Sequence, residues 1–369
     1  MSHHDYMQQA LTLAKRGMGY VNPNPMVGAI IVKDNKIIGE GYHKEYGKPH
    51  AEINAIESCG DKCIKGATIY VTLEPCSHYG KTPPCTDAII QAGITHVVIG
   101  AIDKNPLVKN KGIDKLIVHG IQVTTGILEE ECKNLNQIFF HYITTKKPYV
   151  TMKYAMTQDG KIATKTGESK WISCEASREF VHIERHKHMA IMVGLGTVLA
   201  DNPMLDCRSS TIEYKKNPIR IICDTNLKVP PTAKIIQTAK EIPTIIATTI
   251  TDTTKYSPYK DCQIIAVPKK GDHIDLEALM IILGNQNIDS ILLEGGATLN
   301  WFALEAGIVQ SVQTYIAPKI FGSKDAKTPV DGIGIAKVAD HIALKHIKTT
   351  MLGADILIES QVINSCLQE

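Results

Sequence analysis

Four side chains in the first quarter of the chain are of types that together can activate water: His50 and Glu52 in the stretch HAE, Cys76 in EPC, and Cys85 nine positions further on. One histidine and two cysteines are the borderline and soft donors that suit zinc. Three protein ligands leave a fourth tetrahedral position for water, whose pKa the ion can bring down to ~7. Glu52 is too close to His50 to ligate the same ion easily. It is placed instead to take a proton from that water and return it to a leaving group. Cys85 opens an expected helix, where the dipole favours the thiolate a metal requires. Two other uses of PCSHYGKTPPC compete with this one. A Cys76–Cys85 disulfide suits an oxidising compartment, and a closed structural zinc with His78 as fourth ligand leaves Glu52 without a role. Cys59 and Cys63, four apart at an expected helix end, read as core thiols.

H-x-E followed by P-C is the order found in zinc deaminases, where hydroxide attacks an amidine-like ring carbon and ammonia leaves. This chain departs from the common form, because eight residues rather than two separate its cysteines. HAE, the long-insert PCSHYGKTPPC and the preceding NPNPMVGAIIV resemble the deaminase half of the bifunctional riboflavin-biosynthesis deaminase/reductases. YAMTQDGKIAT, GESKWIS, GTVLADNPMLDCR, LLEGGATLNWF and YIAPKIFG resemble the reductase half of that family, in the expected order and over nearly the whole remaining chain.

The resemblance implies an α/β protein: a cytidine-deaminase-like three-layer α/β domain over residues 1–145, then a dihydrofolate-reductase-like α/β domain over residues 146–369. It implies one zinc on His50, Cys76 and Cys85, with Glu52 as the proton shuttle. The expected substrate is 2,5-diamino-6-ribosylamino-4(3H)-pyrimidinone 5′-phosphate, which is deaminated and then reduced by NADPH to the ribityl product. NADPH contacts are implied for Ala155, Trp171, Thr197, Asp201, Thr225 and the run Gly296, Ala297, Thr298, Leu299, Asn300, Trp301 and Phe302. Substrate contacts are implied for Ser169, Arg185, Leu205, Arg208 and Glu294.

The chemistry of these residues agrees in part. Asn24, between two prolines, can offer an amide to a ring edge or ribose, or simply form a turn. His43, Lys81 and Thr82 can meet a phosphate, although Lys81 reads equally as a solvated lysine. Arg185 and Arg208 can grip a phosphate with forked donors, and Lys153 can orient the sugar. Trp171 reads equally as a core ring, and His182 with His186 lacks a third ligand for a metal. Gly194-Leu195-Gly196 starts a dinucleotide fingerprint that fails at Leu199. Gly295-Gly296, between an expected strand and helix, can let a phosphate approach backbone N–H groups.

The elements that must hold these groups follow from periodicity. GAIIVKDNKIIGEGYH reads as a hairpin around Asp34-Asn35, HAEINAIESC as a helix, TIYVTLEPC as a strand, CTDAIIQAG as a helix and HVVIGAID as a strand. Asp5 is expected to cap a first helix with Met7, Ala10, Leu11 and Ala14 on one face. A boundary is expected between residues 140 and 149, after which strand–helix alternation restarts. With 40 basic and 38 acidic residues the net charge is +2, which gives no reason to expect a nucleic-acid or membrane partner. The most apolar stretch, residues 189–200, is well short of the ~20 a spanning helix needs. The N-terminal stretch carries no long apolar run of a signal peptide, so reduced thiols and a cytoplasmic location are expected. Apolar strands that read as exposed suggest a homo-oligomer. The competing readings are a nucleoside or tRNA-type zinc deaminase with an unrelated nucleotide-binding C-terminal domain, and a non-enzymatic zinc and nucleotide sensor.

Overall fold

In the computed structural model, which describes residues 1–79, 83–105 and 109–363, the run GAIIVK forms β1 (Gly28–Lys33) and folds back onto β2 (Lys36–Tyr42). Asp34 and Asn35 make the turn at φ 50° and 59°, the left-handed pair that a two-residue hairpin of correct twist needs. The first helix, α1 (His3–Ala14), buries Met7, Ala10, Leu11 and Ala14. Its cap differs from expectation. Ser2 is the N-cap, accepting from the Asp5 N–H at 3.3 Å, while the Asp5 carboxylate accepts from the Ser2 N–H at 2.7 Å. The pair forms a capping box, so Asp5 sits at the third helical position and not before the helix.

Two compact units divide the chain, Met1–Lys146 and Lys147–Glu369. The first continues with α2 (Ala51–Ser58), β3 (Thr68–Leu73), α3 (Cys85–Gln91), β4 (His96–Ala101), α4 (Lys111–Val118), β5 (Gln122–Thr125), α5 (Glu129–Leu135) and α6 (Gln137–Thr145). Its sheet runs β2-β1-β3-β4-β5, antiparallel around β1 and parallel from β3 to β5. A methyl group at Gly28 would strike the backbone of Ala10 and Ala14 in α1, whereas one at Gly41 would strike Ala51 and Ala55 in α2. Gly41 pairs with Ala29, the neighbour of Gly28, so strand alternation puts the two helices on opposite faces. The result is three layers. Ile30, Ile31, Ile69 and Ile99 are wholly buried between them, each contributing ~1.5–3 kcal/mol.

The second unit comprises β6 (Tyr149–Thr157), α7 (Glu175–Lys187), β7 (Ala190–Gly194), α8 (Leu195–Asp201), β8 (Ile219–Cys223), α9 (Lys234–Gln237), β9 (Thr244–Thr248) and β10 (Gln263–Ala266). The ribbon β11 (Lys269–Lys270) and β12 (His273–Ile274) follows, then α10 (Leu276–Asn285), β13 (Ser290–Leu293), α11 (Ala297–Glu305), β14 (Ser311–Ala317), β15 (Ala343–Leu352) and β16 (Asp355–Ile363). Nine strands align as β10-β9-β8-β7-β13-β6-β14-β16-β15, parallel as far as β14 and antiparallel after it. Ile221 and Ile245 join one hydrophobic core, and their neighbours Ile222 and Ile246 join another. Both faces of the central strands are therefore covered, which is why IRIIC and TIIAT are almost unbroken apolar runs. The edge strand β15 has no such pattern: Lys345, His346, Ile347 and Lys348 are all exposed.

His188, at the end of α7, is 2% exposed. Its Nδ1 faces the Glu184 carbonyl at 2.8 Å, which can only accept, so Nδ1 carries the proton and Nε2 accepts from the Thr151 hydroxyl at 2.9 Å. Burial pulls its pKa from 6.5 down to about 4, against the pull of Glu184. Between those values the unfolded chain binds a proton that the folded chain refuses, so stability is full above pH 6.5 and is lost as pH falls toward 4. Urea unfolding followed by the fluorescence of Trp171 and Trp301 should show wild type losing roughly 2 kcal/mol more than His188→Gln between pH 7.5 and pH 5. Equal losses in the two proteins would show that His188 does not titrate this way.

Candidate functional site

Three chain segments meet at the first site. His50 is the N-cap of α2, which puts its ring at the helix start and Glu52 one residue inside it. Glu74-Pro75-Cys76 follows the end of β3, and Cys85 is the first residue of α3. His50 Nδ1 lies 3.3 Å from Cys85 Sγ and 3.6 Å from Cys76 Sγ, and the three ligand atoms fall within 4.8 Å of one another. A tetrahedral zinc with bonds of ~2.3 Å to sulfur and ~2.0 Å to nitrogen holds those atoms about 3.5 Å apart, so the donor set fits the ion in type and spacing. Among the described residues no other trio of metal-ligating side chains comes together. His78 is exposed and outside the cluster, so a closed site is not what the fold builds.

The thiols favour unequal protonation. A hydrogen bond from the Cys85 thiol, His50 and the Cys85 backbone N–H (3.4 Å) bring Cys76 down to about 4, while sharing that proton and burial push Cys85 up. Glu52 is 3% exposed, and burial raises its carboxyl to about 7, with the Cys76 charge adding to the rise and His50 opposing it. A carboxyl balanced between its two forms is suited to passing a proton in both directions.

Asn24 and His43 stand beside this cluster. The His43 ring packs edge-on against His50 with centroids 5.2 Å apart. Both ring nitrogens are engaged, Nδ1 with the Pro49 carbonyl at 3.2 Å and Nε2 with Asn24 Nδ2 at 3.2 Å. Burial lowers its pKa and favours the neutral ring, whose Nδ1–H donates to the Pro49 carbonyl. In this arrangement His43 aims the Asn24 amide. Lys81 and Thr82, the other expected phosphate contacts, lie outside the described residues.

Two further residues frame the site in roles that the sequence does not announce. Asn136 clamps the backbone of Met26, accepting from its N–H at 2.8 Å and donating to its carbonyl at 2.9 Å, two residues beyond Asn24. Glu74, 3% exposed, accepts backbone N–H bonds from Asp103 (3.3 Å), Asn110 (3.1 Å) and Gly112 (3.1 Å). It pins these residues to the segment that carries Cys76. Cys59 is a core thiol bonded to the Ala55 carbonyl, whereas Cys63 is exposed and not core as expected.

In the second unit the expected residues gather at the carboxyl ends of the parallel strands, where open α/β sheets bind ligands. Ala155 is near the end of β6, and Thr225 follows β8, its carbonyl held by Thr248 and Thr249. Thr197 and Asp201 lie on α8, which starts directly after Gly194 although the fingerprint fails, and Leu195-Gly196 forms its first turn. Gly296 caps α11 with no side chain over the free N–H groups, and a methyl there would come 3.3 Å from Thr197 Oγ1. Two helix starts on neighbouring strands thus form one cradle, suited to a dinucleotide phosphate. Ala297, Thr298, Leu299 and Phe302 line the same helix. Asn300 Oδ1 and Trp301 Nε1 are buried there without partners, while Asn300 Nδ2 donates to the Pro329 carbonyl. Trp171 is 61% exposed, stacked on the Arg178 guanidinium at 4.8 Å, so it is no core ring; Trp301 is.

Glu294 binds Arg185 through both oxygens, at 2.7 Å to Nε and 2.9 Å to Nη2, with Lys153 Nζ 3.9 Å away. Burial alone would raise Glu294, but Arg185 and Lys153 outweigh it and hold the carboxyl at about 2. The Nε/Nη2 edge of Arg185 is therefore turned to Glu294. Arg208 keeps the option of gripping a phosphate: its side chain is 56% exposed, with Nη1 on Asp206 at 2.6 Å. Leu205, at φ 53° and buried, sets the turn into this loop, and Ser169 is half-buried in the connection after β6. His182 and His186 each accept a backbone N–H at Nδ1, from Arg208 and Lys216, and form no metal pair.

Comparison with known proteins covers nearly the whole chain. Residues 1–101 match the family described as the cytidine and deoxycytidylate deaminase zinc-binding region, and residues 148–358 match the RibD C-terminal domain. The riboflavin biosynthesis protein RibD of Actinobacillus pleuropneumoniae is 50% identical over 366 residues, covering 99% of this chain and 96% of that protein. Its Escherichia coli counterpart is 40% identical over 96% of this chain and 97% of its own length. A crystal structure of a diaminohydroxyphosphoribosylaminopyrimidine deaminase/5-amino-6-(5-phosphoribosylamino)uracil reductase from Thermotoga maritima superposes with a TM-score of 0.88 at 38% identity, covering 98% of this chain and 99% of that one. RibD of Acinetobacter baumannii gives 0.88 at 35% identity with the same coverage.

Proposed function

The chain belongs to the RibD family of riboflavin biosynthesis, and from that premise we propose which of its residues carry the two reactions and on what substrate. The protein is a bifunctional enzyme, a zinc-dependent deaminase followed by an NADPH-dependent reductase. Its substrate is 2,5-diamino-6-ribosylamino-4(3H)-pyrimidinone 5′-phosphate, and its product is 5-amino-6-(5-phospho-D-ribitylamino)uracil. The observation that carries the first half is the meeting of His50 Nδ1 with the Cys76 and Cys85 sulfurs within 4.8 Å, with the buried Glu52 carboxyl beside them.

His50, Cys76 and Cys85 would hold the zinc, which supplies a Lewis acid that lets water lose a proton near neutral pH. Glu52 accepts that proton at its carboxylate and returns it to the amino group leaving as ammonia. Asn24, steadied by His43 and by the Asn136 clamp, orients the pyrimidine edge. Lys81 and Thr82 are assigned to its phosphate on the resemblance of PCSHYGKTPPC alone.

In the second half the Gly296–Thr197 cradle, with Ala155, Trp171, Asp201 and Thr225, holds NADPH, which supplies the hydride. The protein's task is alignment. Lys153, held by Glu294, orients the sugar carbon that accepts the hydride, while Ser169, Leu205 and Arg208 fix the rest of the substrate. Arg185 serves that group by locking Glu294. The substrate is a small molecule, with no nucleic-acid or membrane partner. No helix among the described residues is long and apolar enough to cross a membrane. The nine described cysteines are free thiols, in keeping with a cytoplasmic location. The open edge of β15, with Leu344, Ile347 and Met351 exposed, supports a homo-oligomer.

Purified enzyme offered the diaminopyrimidinone phosphate should release ammonia and then oxidise NADPH, with no absorbance change before deamination. Turnover of cytidine or tRNA in its place would overturn the substrate assignment.

A further inference from the structure

Helix α7 holds the loop that carries Arg208 at three successive positions along one face. Arg185 Nη1 donates to the Asp206 carbonyl at 3.0 Å. One turn earlier, His182 accepts the Arg208 N–H at Nδ1 (3.2 Å), and its own carbonyl accepts from Cys207 Sγ at 3.1 Å. One turn earlier again, Glu179 gathers the residues that follow. Its Oε1 accepts from the Ser209 hydroxyl at 2.6 Å, the Ser210 N–H at 2.9 Å, the Thr211 N–H at 3.3 Å and the Thr211 hydroxyl at 3.2 Å. Its Oε2 lies 3.2 Å from the Ser210 nitrogen. Ser209 is wholly buried, yet the neighbouring Arg208 side chain is 56% exposed.

The loop is thus anchored on both sides of one residue, whose guanidinium projects from it with Nη1 on the Asp206 carboxylate at 2.6 Å and its other nitrogens toward solvent. Bonds to an ionised carboxylate are roughly twice as strong as neutral ones, so Glu179 holds this stretch of the loop firmly. An arginine on a fixed backbone loses less conformational entropy on meeting an anion than one on a mobile loop, and the saving appears as affinity.

We propose that Glu179 is a positioning residue of the reductase: it fixes the backbone beyond Arg208, so that the guanidinium stands ready for the phosphate of the substrate. This rests on Arg208 being the phosphate ligand. The carboxyl of Glu179 is held at about 2, first by the Ser209 hydroxyl, so it stays ionised at every pH at which the enzyme would be assayed.

The test measures NADPH oxidation by the full-length holoenzyme with the purified deaminated intermediate, for Arg208→Ala, Glu179→Ala, Glu179→Gln and the double variant Arg208→Ala/Glu179→Ala. Inorganic phosphate serves as a competitive inhibitor, and ammonia release from the first half serves as the internal control. Arg208→Ala should raise KM by about 100-fold and Glu179→Ala by about tenfold, in the range expected when charge-assisted hydrogen bonds are lost. With Glu179→Ala, kcat and ammonia release should stay within about threefold of wild type, and the inhibition constant for phosphate should rise with KM. The double variant should be no worse than Arg208→Ala alone, because a positioning residue has nothing left to position. Glu179→Gln, which turns an amide N–H toward the Ser210 N–H, should fall between wild type and Glu179→Ala and replaces it if that variant misfolds.

An unchanged KM in Arg208→Ala would remove the phosphate reading itself. A raised KM in Arg208→Ala with KM and phosphate inhibition unchanged in both Glu179 variants would overturn the positioning role alone. So would a loss confined to kcat, or additive effects in the double variant.

Discussion

Glu52→Gln should all but stop ammonia release while leaving zinc in place. Positioned acid–base groups contribute ~10²–10⁴-fold, so a loss of about a thousandfold is expected, worth ~4 kcal/mol of barrier. The glutamine amide has the shape of the carboxyl it replaces and fits a side chain that is 3% exposed. What it lacks is a site that can take up a proton and give it back. Because the ligand cluster comprises His50, Cys76 and Cys85 without Glu52, metal content should stay near one zinc per chain. Reduction of the pre-deaminated intermediate should be normal, since that chemistry belongs to the other compact unit. Ammonia release within tenfold of wild type would remove Glu52 from the proton path. A loss of zinc in step with activity would instead make it part of the metal site.

Glu294→Ala should disable the second unit as sharply, by a different route. Glu294 lies between the Arg185 fork and Lys153, and removing it leaves two buried cations without their counter-charge. Breaking a buried pair in this way costs ~3–5 kcal/mol, which for a unit of this size lowers Tm by roughly 10 °C. NADPH oxidation should vanish even at temperatures where the variant stays folded, because Lys153 loses the partner that holds its ammonium in place. Ammonia release at 25 °C should be unaffected. Replacing both members, as Arg185→Met with Glu294→Met, should cost less stability than Glu294→Ala alone yet restore no reduction. A Tm within 2 °C of wild type in Glu294→Ala would show that the cations find water or another anion. The ion pair would then not be what organises this site.

The meeting of His50, Cys76 and Cys85 was legible in the sequence because these are uncommon residue types whose chemistry demands adjacency. One histidine, one acid and two cysteines at ordered spacings leave few arrangements to consider. The sheets were legible for a similar reason, since TIYVTL and IRIIC alternate or saturate with apolar residues as buried strands must. The reductase site was far less so. Arg185 and Glu294 are 109 positions apart, and no local pattern announces that their side chains meet. Hence the sequence offers Arg185 as a phosphate ligand without showing that one edge of its fork lies on Glu294. The same blindness covers His43, whose ring looks available until Pro49 and Asn24 are seen against it. Glu74, Asn136 and Glu179 bind backbone groups of distant segments, and a backbone N–H has no letter in a sequence. β15 escaped notice because an edge strand exposed on both faces has no apolar period to display.

Gly39 and Gly41 carry no chemistry, yet the backbone of α2 lies against them so closely that a methyl at either would strike Ala55, or Ala51 and Ala55. This is the helix whose first turn carries His50 and Glu52, while both sulfurs come from elsewhere. The position of the imidazole relative to the two sulfurs thus depends on a strand that carries none of them. Among variants selected for riboflavin-independent growth, intolerance should therefore extend beyond the ligands and Glu52 to two glycines of a hairpin. A designer wishing to retune the metal's affinity without touching a ligand would start with that strand, where a fraction of an ångström in helix position becomes a change in coordination geometry.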